Sequence, residues 1–277
     1  MTRNGVRRGD TAIHADNRSP FRISLLAVTL IGVALLTLPT AALLWRALDA
    51  GSVLDDPTTR EILRDALVLS LTTSLIALTA IVLVGTPAAF VLARHRGRLT
   101  RVIDALVDLP IILPPAVAGI ALLAAFGRAG ILGDTLDAVG IRVGFSTTAV
   151  VIAQVFVGAP FYIRSARAGF LKIEKHLEES AADLGATPWR VFRSVTLPLA
   201  RNSLLAGAVL AWARALGEFG ATIMFAGNRQ GVTQTMPLAI YERFGAGDLN
   251  TAITFSAILL GTSILFLIVI RLIGEDR

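Results

Sequence analysis

KIEKHLEESAADLGATPWRVFRSVTLPLAR, residues 172–201, is a basic, amphipathic stretch set between two long apolar runs, and its reading decides the fold. Ile173, Leu177, Ala181 and Leu184 recur at gaps of four, four and three, so they share one face of a short helix while Lys172, Lys175, Glu178 and Asp183 stay in water. Gly185 ends that helix. Thr187 followed by Pro188 reads as the N-cap and first residue of a second short helix, which carries Trp189, Phe192 and Val195 on one side before Pro198. Neither piece has the roughly twenty uncharged residues that a membrane span needs, so the hairpin lies on the membrane surface or docks on another protein.

Around the hairpin, a chain of 277 residues that is 54% hydrophobic is too apolar for a soluble domain, and the fold class expected is an all-α polytopic membrane protein. Uncharged or nearly uncharged runs place six transmembrane helices at about 23–45, 66–93, 103–126, 147–163, 203–225 and 252–270, with polar tails at 1–22 and 273–277. The first run is longer than the 7–15 apolar residues of a cleavable signal peptide and runs into Trp45-Arg46, which favours a retained anchor. With no cysteine there are no disulfides or thiolate metal sites, and His14, His95 and His176 fall in polar connecting segments. The net charge of +6 does not gather on one soluble face, so no nucleic-acid partner is expected. Of the 26 Lys and Arg residues, eighteen fall in the segments on the hairpin's side, seven on the other side, and Arg214 lies inside a span. The positive-inside bias then puts both termini and the hairpin in the cytoplasm.

Charge inside the bilayer is costly, so Asp108, Arg214 and Glu218 need partners or a cavity. Arg214 and Glu218 stand four apart on one helical face and either pair with each other or line a path; both readings stand, and they are compatible. Pro110, Pro114 and Pro115 interrupt the third run and free backbone carbonyls, as suits a span beside a water-filled path or a simple kink. Gly217, Gly220 and Gly227 permit another helix to approach closely. There is no Walker Gly-x-x-x-x-Gly-Lys-Ser/Thr, no His-Glu-x-x-His and no Gly-x-Ser-x-Gly, so the chain has no visible means of hydrolysing ATP.

The hairpin resembles the cytoplasmic loop of the permease subunits of bacterial ABC importers, which carries Glu-Ala-Ala, three residues, Gly, nine residues, and Ile-x-Leu-Pro. Here Glu179, Ser180 and Ala181, then Gly185, then Val195, Leu197 and Pro198 fill that spacing, with Ser180 and Val195 as conservative departures. Residues 213–222 (ARALGEFGAT), 225–228, 233–241 and 108–119 (DLPIILPPAVAG) resemble the molybdate branch of these permeases, and the likeness covers roughly 66–272. The resemblance implies a type I ABC importer transmembrane domain in a bacterial or archaeal cell membrane. It implies a coupling helix at Glu179, Ala181 and Gly185 that fits a cleft on a separate ATPase. It further implies a homodimer whose third and fifth spans, with Asp108, Pro110, Pro114, Pro115, Arg214, Gly217, Glu218 and Gly220, form the path and gate. A cytoplasmic ATP-binding subunit dimer that holds ATP and Mg, and an extracytoplasmic oxyanion-binding protein, complete the implied assembly. The chain itself is expected to bind no cofactor or metal and to carry no catalytic residue. Sulfate, thiosulfate and tungstate are the alternative solutes, and a self-sufficient secondary transporter or channel, or a membrane scaffold, is the alternative class.

Overall fold

The computed structural model describes residues 20–49, 51–95 and 97–275, so most of the tail expected over 1–22, and the end of the tail expected over 273–277, lie outside the described residues. The chain forms two units that divide after Leu48. The first contains α1, Pro20–Asp49, which is uncharged from Ile23 to Trp45 and apolar on every side, as a helix bathed in hydrocarbon must be.

Early in the second unit stands Asp56, whose carboxylate accepts the Thr59 amide at 2.9 Å and the Thr59 hydroxyl at 2.7 Å. That cap, with Pro57 in the first turn, sets the start of α2, Pro57–Arg94. The buried face of α2 is made of small residues, Ala66, Ser70, Ser74, Ala77, Gly85 and Ala89 among them, so that α6, Thr147–Leu171, and α9, Leu197–Leu216, approach it closely. Hydroxyls tie these helices together where water is absent. Trp212 Nε1 donates to Ser74 Oγ at 3.1 Å, Thr86 Oγ1 and the Tyr162 hydroxyl are 2.6 Å apart, and Ser165 Oγ donates to the Ser203 carbonyl at 2.7 Å. A second cluster joins α2 to α11, Met236–Gly245, and α12, Leu249–Glu275, with Met236 N donating to Ser70 Oγ at 2.7 Å.

Among the described residues, five helices are long and apolar enough to cross a membrane, or six if the bent pair α3, Arg98–Ile112, and α4, Pro115–Phe126, is one span. The pair turns by 119°. A proline disfavours helical geometry for the residue before it, and here two stand in a row: Leu113 has ψ 132° and Pro114 has ψ 137°.

The helices depart from the uncharged runs and the expected hairpin in three places. The fourth run, placed at 147–163, continues as α6 through Pro160 to Leu171, because packing on α2 and α9 outweighs the one hydrogen bond lost; Arg164 and Arg167 therefore ride on a helix. The fifth run, placed at 203–225, is broken: α9 ends at Leu216 and α10, Gly220–Ala226, starts afresh. The second hairpin helix does not stop before Pro198. It runs from α8, Pro188–Val191, through a π turn, Phe192–Thr196, directly into α9. In that wider turn Leu197 N–H reaches back five residues to the Phe192 carbonyl, and the backbone accommodates the proline ring without ending the helix. The polar loops at 127–146 and 226–250 also hold short helices, α5, Gly133–Ala138, and α11.

Candidate functional site: a tethered hairpin and a pair of half-helices

Two places in the second unit gather the candidate residues. The first is the hairpin. Its leading helix, α7, spans Lys175–Asp183 and has no buried residue. Gly185 at φ +84° ends it: Ala186 N–H reaches the Ala181 carbonyl at 3.1 Å and Gly185 N–H reaches the Ala182 carbonyl at 2.8 Å, a Schellman cap that needs a residue without Cβ strain. Thr187 then caps α8, accepting the Arg190 amide at 3.4 Å.

The expected apolar face is divided rather than uniformly covered. Ile173 is buried, but it precedes α7; Leu177 is 40% exposed and Leu184 90% exposed, with Trp189 beside the turn at 67%. Glu179, Ser180 and Gly185 are exposed, Ala181 and Val195 half-buried, Leu197 half-buried and Pro198 exposed. The hairpin thus presents bare apolar side chains and an unburied acid around a rigid turn, which is what a surface for another protein requires.

The acid that faces inward is Glu178. It meets Arg94 Nη2 at 2.5 Å and accepts the Thr196 hydroxyl at 2.7 Å, so α7 is fastened to the end of α2 and to the π turn. Helical spacing puts Glu178 on the wet face with Lys172, Lys175 and Asp183; the structure corrects this, turning Glu178 inward onto Arg94 and Thr196. Only the Arg94 partner, 84 residues away, distinguishes Glu178, and that pairing is invisible to local periodicity.

The second place is where α4 and α10 pack on each other. Gly220 lies so close to Pro115 that a Cβ there would overlap the proline's Cβ, and a Cβ on Gly119 would come within 2.7 Å of the Ala221 carbonyl and of Met224. The proline-rich and glycine-rich motifs therefore meet directly, in a cluster with Ala118, Ala221 and Phe225 and the α6 residues Val150 and Ala153. Glu218, fully buried, spans the break: its Oε1 accepts the Ala221 amide at 2.7 Å and its Oε2 lies 2.6 Å from Arg214 Nη1. The second contact lacks hydrogen-bond alignment, so it is an ionic contact, with the Arg214 side chain 32% exposed. Gly217, at the end of α9, is not buried by either half-helix.

Asp108 and Pro110 sit apart from that meeting point, on α3. Asp108 is held by Arg164, Nε to Oδ1 at 2.6 Å and Nη2 to Oδ2 at 2.5 Å, a two-pronged pair; one turn earlier Asp104 meets Arg167 at 2.5 Å. Arg164 and Arg167 lie on the eight residues by which α6 exceeds its uncharged run. Gln154 on α6 and Thr222 on α10 are buried with side-chain polar atoms that have no partner among the described residues. Among those residues no group of His, Cys, Asp and Glu could hold a metal.

A helical membrane domain with a broken pair of spans at its heart and a tethered hairpin beyond the bundle is the architecture of ABC importer membrane subunits. A bacterial ABC transporter subunit from a system described as importing the acidic polysaccharide alginate superposes with a TM-score of 0.69 at 17% identity, covering 92% of this chain and 94% of that one. The sequence pattern described as "binding-protein-dependent transport system inner membrane component" matches residues 81–275, and the chain belongs to that family of multi-pass inner-membrane permease subunits. The molybdenum transport system permease protein ModB of Mycobacterium tuberculosis is 50% identical over 194 residues, 70% of this chain and 73% of that protein. The molybdate/tungstate transport system permease protein WtpB of Pyrococcus abyssi is 37% identical over 223 residues, 80% of this chain and 82% of that protein.

Proposed function

We propose that this chain is the membrane-spanning subunit of an ATP-driven importer of molybdate. The observation that carries the reading is the 50% identity to a molybdenum permease over 194 residues, alongside a family match over 81–275 that includes both the hairpin and the α4/α10 pair. Two copies form the path. The hairpin, with Glu179, Ala181 and Gly185 at its exposed turn, lies in the cytoplasm with both termini and docks on a dimeric ATPase that binds ATP and Mg. An oxyanion-binding protein delivers the solute at the opposite face. The positive-inside count and the exposed Leu184 and Trp189 support this orientation and this docking.

Closure of the ATPases moves the docked hairpin, and that rigid-body motion rearranges the α3/α4 and α9/α10 spans around Asp108, Pro110, Pro114, Pro115, Arg214, Gly217, Glu218 and Gly220. Arg214, partly exposed near the end of α9, attracts a dianion while Glu218 limits its net charge. The site holds its solute weakly, as conduction requires, and leaves selection to the binding protein.

The test is ATP hydrolysis by the chain reconstituted with its ATPase and binding protein, with molybdate, tungstate and sulfate compared. Stimulation by molybdate at concentrations where sulfate is silent is the expected result. Stimulation by sulfate alone overturns the substrate, and solute flux through this chain without the ATPase overturns the class.

A further inference from the structure

We infer that Glu178 is the positioning residue through which the hairpin moves the spans, and that it does so as a three-way clamp with Arg94 and Thr196. The inference rests on the reading that the hairpin docks on an ATPase, and it assigns the internal half of that coupling.

An exposed helix that merely touched the body would swing when pushed and transmit little. α7 has no fully buried residue and, of its apolar residues, only half-buries Ala181, so polar contacts carry much of its hold on the rest of the unit. Glu178 supplies them in two directions at once: Arg94 at the last turn of α2, and Thr196 at the end of the π turn that leads into α9. The clamp is sheltered, with the side chains of Arg94 and Glu178 only 16% and 20% exposed and Thr196 buried, so water and salt screen it far less than a surface pair.

The surroundings hold Arg94 in place. Its guanidinium stands 5.6 Å from the Phe90 ring centroid, and Phe90 packs edge-on against Phe170 of α6 at 5.5 Å and against Phe192 of the π turn at 5.0 Å. The clamp therefore sits on an aromatic junction where α2, α6 and the start of α9 meet. A π turn is a place where helical register can change, and Thr196 is its last residue. Fixing Thr196 to Glu178 makes α7, the end of α2 and the entry to α9 one body, so a push on the exposed turn is delivered to two spans together. Glu179 faces out and cannot do this.

The test uses the complete complex in proteoliposomes, with hydrolysis and molybdate uptake measured in the same vesicles. Glu178→Gln is expected to keep stimulated hydrolysis and to lower solute moved per ATP by about tenfold, within the usual range of coupling between sites. Thr196→Val, which removes one contact at nearly constant volume, is expected to lower it less, and it answers the question if Glu178→Gln does not assemble. The chain has no cysteine, so Arg94→Cys with Glu178→Cys can be bridged selectively by a short bis-methanethiosulfonate. Bridging is expected to restore coupling, and reduction to abolish it again. Wild-type coupling in an assembled Glu178→Gln or, failing that, Thr196→Val complex, or loss of uptake on bridging while hydrolysis continues, overturns the clamp. Failure of the unaltered chain to bind the ATPase is a different result: it overturns the docking reading and the clamp with it.

Discussion

α6 and the α3/α4 pair both cross proline-bearing sequence, and they resolve it in opposite ways. α6 passes through Pro160 unbroken for 25 residues, with Ala149, Ala153, Val157, Tyr162 and Ala166 buried between neighbours. α3 and α4 part at Leu113–Pro114 and turn by 119°, and α3 has no buried residue. A single proline removes one hydrogen bond, which packing on both sides can outweigh; two in succession impose extended geometry on two residues, which it cannot. The bundle of α2, α6 and α9 is thus a frame, and the bent elements are the part that the frame leaves able to rearrange.

The contrast is broken most severely at the half-helix contact. Gly119→Val places atoms where the Ala221 carbonyl and Met224 already stand, and neither half-helix has room to retreat without leaving the other. Its expected cost is at the upper end of the roughly 1–3 kcal/mol of overpacking, with uptake abolished. Gly158→Ala within the frame meets the Ala211 carbonyl and Ile81 at 3.0 Å and is expected to cost less, about 1 kcal/mol. Thermal unfolding of the two purified variants checks the order; a milder Gly119 variant would show that α4 and α10 are loosely joined.

A smaller effect sharpens the comparison from the frame's side. Trp212→Phe keeps one aromatic ring but removes the bond to Ser74 Oγ and leaves a small cavity, and it should lower stability by about 1–2 kcal/mol while leaving the transport rate per assembled complex unchanged. A large loss of transport at normal stability would mean that the α2–α9 seam moves in the cycle.

Much of this was readable in the sequence, for identifiable reasons. The Gly185 cap and the Thr187-Pro188 start depend on neighbours in the chain, so local chemistry decides them. The pairing of Arg214 with Glu218 is an i, i+4 contact and was one of two readings that spacing allowed. What spacing could not supply were contacts between distant segments. The uncharged run at 147–163 stops just short of Arg164, so spacing offers Asp108 no partner, whereas the structure pairs the two. The break at Gly217–Phe219 was hidden because an uncharged run reads as one helix; the break is stabilised by the side chain of Glu218, which caps α10 from outside it.

Between α3 and α6 the expected effect is smaller again. Asp104→Asn with Asp108→Asn removes both ion pairs that hold α3 to the frame, but Arg164 is 61% exposed, so the loss in stability is expected to stay below about 1 kcal/mol. The sensitive readout is local: amide exchange should rise across 98–112 and remain unchanged across 147–171. Uniform change in both would mean that α3 belongs to the frame after all.

The smallest effect lies at the start of the frame, where Asp56 caps α2. The Thr59 hydroxyl, then the Thr59 amide, and more weakly the Thr58 amide and Arg243, hold its carboxyl below the usual carboxylate range, against a small opposing influence of burial. A folded-state pKa that is lowered stabilises the folded form fully above the unfolded value of about 3.9, and the gain fades as pH falls through the depressed value. Asp56→Asn keeps a capping oxygen but has no charge to lose. The wild type should therefore melt slightly above the variant at pH 6, and the two should converge as pH falls below about 4. Because the group is fully exposed, solvent screening keeps the difference small. A difference that stays constant down to pH 3 would mean that the cap works through its geometry alone and that the carboxylate's charge contributes nothing to starting the frame.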